Sequence, residues 1–423
     1  MTKTEYRGIG ETLYTEILPN GLPVCVIPKP DYRKTFAVFA TDYGGADRRF
    51  TLAGEPKNTP AGVAHYLEHK MFDMPEGNAL MALESRGANP NAFTSDAMTA
   101  YHFECTDFFE ENLRTLLTFV STPYFTQESV DKERGIISQE IRMCEDSPDY
   151  RVYMNLMRCL FSHSPLRDSV AGTVESIRAI TPQVLYDCHK VFYHPSNMAL
   201  CVVGRADPEQ VAAAARELLT PESAEKPGRE YGGPEGALPE QALSEEAMVV
   251  SAPQFFIGAK SGPALNGAPA LRERVVGSVA LRCLAGASSP FYIRLYGEGL
   301  LNGTFGCDLD YAAGEGMALL GGESRDPASV LGELKKQIAA VTADGFDENL
   351  FARQKKAAYG GRLRALGSFD AMAVALAEGL FAGFCPLDAF DVLETVTAAE
   401  CAGWVAEKLA PARLAMSVIK PKE

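Results

Sequence analysis

The sequence lacks the features that mark several large classes of protein. No run of about 18 apolar residues occurs in it, so no membrane-spanning helix is predicted. The opening residues, MTKTEYRGIGETLY, contain no apolar core of the kind found in secretion signals, and we expect a cytoplasmic protein. The ten cysteines include no C-x-x-C pair, which favours free thiols in a reducing compartment over disulfides or a cysteine metal site.

Positive charge is also scarce. The chain has 40 Lys and Arg against 55 Asp and Glu, a net charge of -15, and no local cluster of basic residues. Phosphate backbones are bound through such clusters, so nucleic acid is not expected as a partner. The segment GGES at 321–324 has no Lys and follows a predicted strand, so nucleotide binding is not predicted either.

The chain is long enough for two domains, and it repeats itself. ITPQVLYDCHKVFYHPSNMALCVV from Ile180 and VTAAECAGWVAEKLAPARLAMSVI from Val396 match without a gap at an offset of 216 residues, 396 minus 180. Each reads as a helix, a proline and an apolar strand. The stretch 220–246 is rich in Pro, Gly and Glu and is typical of a linker. We therefore predict a first domain at 1–219, a linker at 220–246, and a related domain at 247–423.

Hydrophobic periodicity gives the elements of the first unit. It predicts strands near 22–28 and 35–43, helices at 61–73 and 77–86, a hairpin at 91–105, and helices at 108–120 and 127–145. Strands and helices are mixed without regular βαβ alternation. The predicted fold class is α+β, with two mixed sheet units of about 200 residues each.

Histidine is rare, with six in the chain, yet two lie four residues apart in AGVAHYLEHKMF at 61–72. On a helix, His65, Glu68 and His69 project from one face. Two imidazoles on adjacent turns can bind one Zn²⁺, which in enzymes takes a third protein ligand and keeps one position open for water. The alternatives are surface histidines that meet by accident, or a purely structural metal site.

A third ligand is predicted on another helix of the same unit. In VDKERGIISQEIRMCEDSP, Glu133 and Glu140 lie seven residues apart and so almost eclipse each other on a helix. We predict that they share their face with four apolar residues, Val130, Ile136, Ile137 and Cys144. Carboxylates on an apolar stripe are costly unless they are paired or bound to metal. The alternative is that the two glutamates merely border the stripe.

These motifs resemble a known family. GVAHYLEHKMF, with ERGIISQE ending 71 residues after His69, is similar to the inverted zinc motif of the pitrilysin/insulinase metallopeptidases, the inverzincins, which include the mitochondrial processing peptidases. LPNGLPVCVI, NAFTSDAMTAYHF and FYHPSNMALCVVG extend the resemblance over nearly the whole first unit. The closest likeness is to the bacterial subfamily of paired subunits. The resemblance implies a mitochondrial-processing-peptidase-like fold and a zinc-dependent endopeptidase that encloses peptides or small unfolded chains in a chamber.

The resemblance also implies a role for particular residues. It makes His65, His69 and Glu140 the ligands of one Zn²⁺ per chain, Glu68 the general base, and Glu133 a supporting catalytic carboxylate. It further implies that the peptide substrate adds as a β-strand beside four residues, Asn91, Ala92, Phe93 and Thr94. The alternative for these four is an ordinary edge strand with its aromatic side chain in the core.

The second unit lacks this chemistry. At the 216-residue offset, LRCLA at 281–285 stands where the zinc motif would be. Many family members hold substrate with an Arg and a Tyr in the pattern F-x-x-x-R-E-K-x-G-L-x-Y, but FYIRLYGEGLLN here places Leu295 and Asn302 at those positions. The resemblance therefore implies a heterodimer with a related subunit that lacks the zinc motif, with a homodimer as the runner-up. The alternative to an enzyme is a non-catalytic scaffold subunit.

Overall fold

A computed structural model of the protein describes residues 1–52 and 54–422. The strands in order along the chain are β1 (Thr2–Tyr6), β2 (Glu11–Ile17), β3 (Pro23–Pro28), β4 (Thr35–Thr41), β5 (Arg49–Leu52), β6 (Glu55–Asn58), β7 (Asp73–Met74), β8 (Gly77–Asn78), β9 (Asn89–Thr94), β10 (Thr99–Cys105), β11 (Met198–Gly204), β12 (Arg229–Glu230), β13 (Leu243–Met248), β14 (Gln254–Pro263), β15 (Gly306–Ala312), β16 (Glu315–Glu323) and β17 (Ala415–Pro421). The α-helices are α1 (Val63–Met71), α2 (Ala79–Glu84), α3 (Phe109–Ser121), α4 (Gln127–Glu145), α5 (Pro148–Leu160), α6 (Pro182–Phe192), α7 (Pro208–Leu218), α8 (Ala268–Ala285), α9 (Pro290–Gly297), α10 (Pro327–Asp344), α11 (Glu348–Ala365), α12 (Phe369–Phe381), α13 (Ala389–Thr395) and α14 (Ala398–Lys408). The elements predicted for the first unit are found as β3, β4, the β9–β10 hairpin and α1 to α4.

Each of the two large sheets is mixed. One runs β1-β2-β3-β11-β4-β10-β9 and the other β13-β17-β14-β16-β15. The pairs β3–β11 and β13–β17 are parallel, and the other neighbours are antiparallel. Five strands of each sheet can be numbered by their order along the chain, starting at β3 in one sheet and at β13 in the other. Across both sheets these five strands then lie in the same order: first, last, second, fourth, third. The predicted α+β class is confirmed, and the duplication predicted from the sequence appears as a repeated topology.

The matched sequence segments also adopt the same local structure. Helices α6 and α14 both have eleven residues, and their starts differ by 216 positions. Each is followed by a 3₁₀ turn that begins with proline, at Pro195 and at Pro411, and then by the strand that pairs in parallel, β11 or β17. Proline suits the first position of such a turn because its missing N–H would have no partner there.

The compact units draw on both halves of the chain. The first contains Met1–Ile141, Ser169–Tyr231 and Leu363–Leu387, and the second contains Arg142–Asp168, Gly232–Arg362 and the chain from Asp388 onward. Helix α5 therefore belongs to the second unit and α12 to the first. The units do not coincide with the predicted ranges 1–219 and 247–423, because each half of the chain contributes a helix that covers the other half's sheet.

In the first unit both faces of the sheet are buried. Leu67 of α1 and Leu116 of α3 pack on the face that carries Phe39. On the opposite face, Met372 and Leu376 of α12 are among the side chains packed in the core that contains Val38. Burial on two sides explains why the central strands read as continuous apolar runs.

No single helix of the described chain is long and apolar enough to cross a membrane, and α12 meets that test only when combined with Pro386–Thr395, at a bend of 99°.

The stretch 220–246, which we predict to be a linker, contains ordered strands. β12 pairs with β5, and β13, which starts within it, pairs with β17. The boundary between the two units falls inside the stretch, between Tyr231 and Gly232.

Candidate active site

Helix α1 presents two histidines and a glutamate on one face. Its N-cap, Gly62, has φ of 97°, and a Cβ there would lie 2.6 Å from the carbonyl oxygen of Ala171, so only glycine fits this tight entry. Tyr66 and Leu67 turn into the core. The Tyr66 hydroxyl donates a hydrogen bond to the carbonyl oxygen of Val130, which fixes α1 against α4.

Helix α4 brings the carboxylates. Its buried residues are Val130, Ile137 and Ile141. Ile136 is 49% exposed, so its predicted place on the buried face is wrong. At 100° per residue, Glu133 and Glu140 fall at the border of the buried stripe and Ile136 falls beyond them. The glutamates are therefore at the edge of the core, where they are within reach of a neighbouring helix.

The predicted zinc ligands lie together. Nε2 of His65 is 3.4 Å from Oε1 of Glu140, and Nε2 of His69 is 3.5 Å from Oε2 of the same carboxylate. One ligand atom from each of the three side chains lies within 4.8 Å of the other two. Ligands bound to tetrahedral zinc at about 2.0–2.1 Å are separated by about 3.3 Å. Two of the three separations are thus close to what zinc would require, the third is within 4.8 Å, and the ligand types suit the metal.

Glu133 stands behind the ligands. Nδ1 of His69 lies 3.0 Å from Oε1 of Glu133 and donates to it, because an ionised carboxylate can only accept. This contact fixes the tautomer and leaves the Nε2 lone pair of His69 facing Glu140. Lys70, 2% exposed, lies 3.8 Å from the second oxygen of Glu133 and also pairs with Asp73. Sequence reasoning missed Lys70, although its place beside His69 and three residues before an Asp was visible.

The electrostatics of the cluster favour a cation. A hydrogen bond with His65 lowers the pKa of Glu140, against the opposing effect of partial burial. A hydrogen bond with His69 likewise lowers the pKa of Glu133. Burial lowers the pKa of His69, but the nearby carboxylates of Glu133, Glu68 and Glu140 outweigh it and the pKa is raised. Glu133 and Glu140 are therefore both ionised at neutral pH.

Glu68 is held by the predicted substrate strand. It is 8% exposed, and its Oε2 accepts a hydrogen bond of 2.6 Å from the hydroxyl of Thr94. Side chains alternate along β9, so Ala92 packs toward the core on the α1 side and Phe93 toward the opposite core, where its ring lies 6.2 Å from that of His102. Asn91 is exposed, and its side chain accepts from the N–H of Ala92. Of these four residues, Thr94 is the one whose side chain reaches the site, a contact that the sequence did not reveal.

β9 also offers a main-chain edge. It is the last strand of its sheet, paired with β10 on one side. Strands in this position carry N–H and C=O groups that a further strand can pair with. The arrangement can thus combine an added peptide strand with a metal-binding cluster and a glutamate next to it.

Sequence comparison relates the chain to known peptidases. Residues 53–174 match the family model for insulinase, peptidase family M16, and residues 179–358 match that for the peptidase M16 inactive domain. The Bacillus subtilis protein YmfH, described as an uncharacterized zinc protease, is 37% identical over 99% of this chain and 99% of its own length. The first match includes the histidine pair and Glu140, and the second covers the region that lacks them.

Solved structures extend the comparison to the fold. The crystal structure of a protein described as an M16-like peptidase from Alicyclobacillus acidocaldarius has a TM-score of 0.94 and 32% identity, covering 100% of both chains. A Helicobacter pylori protease shares the fold at a TM-score of 0.80 and 16% identity, over 97% of this chain and 99% of its own. Because the Bacillus subtilis and Alicyclobacillus acidocaldarius proteins are similar to this chain along its whole length, the chain belongs to the M16 (insulinase/pitrilysin) family of peptidases.

Proposed function

We propose that the protein is a zinc-dependent endopeptidase that hydrolyses peptides or small unfolded polypeptides. The observation that carries this proposal is the convergence of His65 Nε2, His69 Nε2 and the Glu140 carboxylate at zinc-like spacing, with Glu68 beside them. One Zn²⁺ held there would supply Lewis acidity that polarises a peptide carbonyl and makes water nucleophilic near neutral pH.

The residues of this chain would carry the proton. Thr94 holds one oxygen of Glu68, which leaves the other free to accept a proton from the attacking water. Glu68 then returns that proton to the amine as the peptide bond breaks. Substrate adds along β9 through main-chain hydrogen bonds, which tolerate many side chains. Glu133 keeps His69 in one orientation throughout.

We further propose that a second, related subunit completes the site. At the positions where family members have a substrate-holding Arg and Tyr, Leu295 is fully buried and the Asn302 side chain is bound to Glu323 at 2.9 Å. The nearby Arg294 pairs with Glu333 at 2.7 Å. The side chains of Asn302 and Arg294 are thus already bound to other residues of this chain. This supports a heterodimer whose partner supplies the Arg and Tyr that would hold the substrate. A homodimer is the alternative assembly.

Replacing Glu68 with Gln tests the proposed chemistry. The amide keeps the size of the side chain and can bond to Thr94, but it cannot take up the proton. We expect zinc content to stay at one per chain while peptide hydrolysis falls by about 10²-fold or more. Zinc is measured by atomic emission, and hydrolysis is measured with the paired subunit added, by mass spectrometry of a mixed peptide library. The same change at exposed Glu84 of α2 is the matched control and should alter neither quantity.

Two results would contradict the proposal. Hydrolysis at the wild-type rate by Glu68→Gln would remove this residue from the mechanism. A zinc-loaded wild type that cleaves no peptide, alone or with its paired subunit, would favour the scaffold reading instead.

A further inference from the structure

A buried polar network in the first unit starts at residues 228–231, here called the exit segment because the chain leaves the first unit after Tyr231. Arg229 Nη1 bonds to Oδ2 of Asp42 at 2.9 Å, and its Nε lies 3.2 Å from Oδ1 of Asp47. The Tyr231 hydroxyl donates to the same Oδ1 of Asp47 at 2.8 Å. The proposed chemistry uses none of these groups.

The charges of this network are buried, so each depends on its partners. Asp47 is 2% exposed, and burial raises its pKa to about 6 although Arg229, the N–H of Gly44 and Tyr231 pull the pKa down. A buried charge that loses one partner is left uncompensated, which is strongly destabilising. The exit segment is therefore fixed to the loop at 42–47 by a set of contacts that depend on one another.

The loop at 42–47 is fixed in turn to the turn that follows β9. Oδ2 of Asp47 accepts from the N–H of Gly44 at 2.8 Å. The N–H groups of Gly45 and Ala46 donate to the carbonyl oxygens of Ser95 and Asp96 at 2.9 and 3.0 Å. A Cβ at Gly44 would lie 2.4 Å from the carbonyl carbon of Asp96, so no larger residue fits between loop and turn.

The turn leads directly to the proposed base. Thr94, which donates to Glu68 at 2.6 Å, is covalently joined to Ser95. On the other side of the turn, the Thr99 hydroxyl donates to the carbonyl oxygen of Tyr43 at 2.8 Å, so the start of β10 is held by the chain next to the same loop. Contacts therefore run without a break from Tyr231 to Glu68.

We propose that Arg229 and Tyr231 are positioning residues for Glu68, acting through the loop at 42–47 and Thr94. This inference rests on the proposed function, because positioning of Glu68 affects a rate only if the protein is a peptidase. It assigns the exit segment, which the sequence presents as part of a linker, a part in the geometry of the site.

Tyr231→Phe tests the link by removing one hydroxyl and leaving the ring. Small displacements of a catalytic group reduce turnover steeply. In the complex with the paired subunit, we expect kcat to fall about tenfold while KM changes by less than about twofold. Zinc content should not change. Glu230→Gln is the matched control in the same segment, because Glu230 is exposed and lies 3.7 Å from Arg49 on the surface. Its kcat should equal that of the wild type.

A double-mutant cycle separates positioning from general loosening. In a Thr94→Ala background the link to Glu68 is already cut, so adding Tyr231→Phe should change kcat by less than about twofold. Thr94→Ser keeps the hydroxyl and should restore the sensitivity to Tyr231→Phe. If the two substitutions instead multiply as independent effects, Tyr231 does not act through Thr94 and the inference is overturned.

Amide hydrogen exchange provides a readout that needs no substrate. In Tyr231→Phe the amides of Gly45 and Ala46 should exchange at least about tenfold faster than in Glu230→Gln, since their acceptors lie in the turn after β9. If exchange is faster but the protein cleaves no peptide, the structural link from Tyr231 to the turn after β9 is supported and the proposed function is rejected. Unchanged exchange, or faster exchange with an unchanged kcat in an active enzyme, would overturn the positioning role.

Discussion

At the scale of single residues, Glu133 and Glu140 of α4 are close in sequence but differ in surroundings. The Glu140 side chain is 40% exposed and faces the Nε2 atoms of both histidines. The Glu133 side chain is 16% exposed and faces Nδ1 of His69 and the ammonium of Lys70. The first is placed to be a ligand, and the second to orient one.

Replacing each carboxylate with an amide should separate these roles. Glu140→Gln should weaken zinc binding by about 10²-fold or more, because a neutral amide is a poor zinc ligand. Glu133→Gln should weaken it less, by about tenfold, as expected for a group that supports a ligand. Competition with a chromophoric chelator gives both affinities, and exposed Glu128 in the first turn of α4 provides the control. A larger loss for Glu133→Gln would exchange the two assignments.

His189 should make stability depend on pH. Burial lowers its pKa from 6.5 to about 4, and its Nε2 lies 3.0 Å from the carbonyl oxygen of Val120, to which it donates. The unfolded chain therefore binds the proton first as pH falls. The stabilising contribution is complete above pH 6.5 and is lost between pH 6.5 and 4, up to about 3 kcal/mol.

His189→Gln provides the comparison, since a Gln amide can bond to Val120 but does not titrate. Between pH 6.5 and 4, metal-free wild type should lose up to about 3 kcal/mol of unfolding free energy relative to this variant, measured by urea unfolding. The same change at exposed His163 should leave the wild-type pH dependence in place. Parallel pH profiles for wild type and His189→Gln would contradict the assignment.

At the scale of elements, α12 comes from the second half of the chain but packs on the sheet formed by the first half. Phe369, Met372 and Leu376 are almost fully buried on the face that carries Val38 and Cys201. Without this helix that face of the first unit would expose a continuous apolar surface. The exchange of α5 and α12 thus makes the core of each unit depend on both halves of the chain.

Leu376→Ala should show this dependence. Removing a side chain that is 2% exposed leaves a cavity, and we expect a loss of about 2–4 kcal/mol in unfolding free energy. Urea unfolding monitored by circular dichroism measures it. Ala371→Ser, at an exposed position of the same helix, should change stability by less than about 0.5 kcal/mol. Equal stability of Leu376→Ala and wild type would mean that α12 does not cover the sheet.

At the scale of the whole molecule, the expected partner remains the central prediction. The metal cluster and Glu68 belong to the first unit, while the second unit buries Leu295 and engages Asn302 within the chain. We propose that a peptide adds along β9 through its backbone and that a group of the partner subunit closes over it. The cytoplasmic setting likewise stays a prediction.

Activity of the isolated chain tests the partner directly. With zinc present, peptidase activity should appear only when a related subunit that carries the Arg and Tyr is added, and it should be lost when that subunit's Arg is replaced by Ala. Cleavage is measured at concentrations where ultracentrifugation shows the chain to be monomeric. Full activity of the monomer would reject the heterodimer, and activity that rises with self-association would identify a homodimer.

The sequence by itself determined the local geometry. The spacing of His65 and His69 fixes one helix face whatever surrounds it, and the offset of 216 residues marked a duplication that recurs in strand order and helix length. Helical spacing also placed Glu133 and Glu140 on one face, while the choice of Glu140 as the predicted ligand came from the family resemblance. These features follow from helical and strand periods, which depend on neighbours along the chain.

The tertiary structure alone decided which elements meet. Several contacts join segments that are distant in sequence. They are the hydrogen bond from Thr94 to Glu68, the network of Arg229 and Tyr231, and the packing of α5 and α12 on the sheet of the other half of the chain. Such contacts depend on how the cores of two units, each built from both halves of the chain, are filled. No periodicity in the sequence encodes which segments pack together.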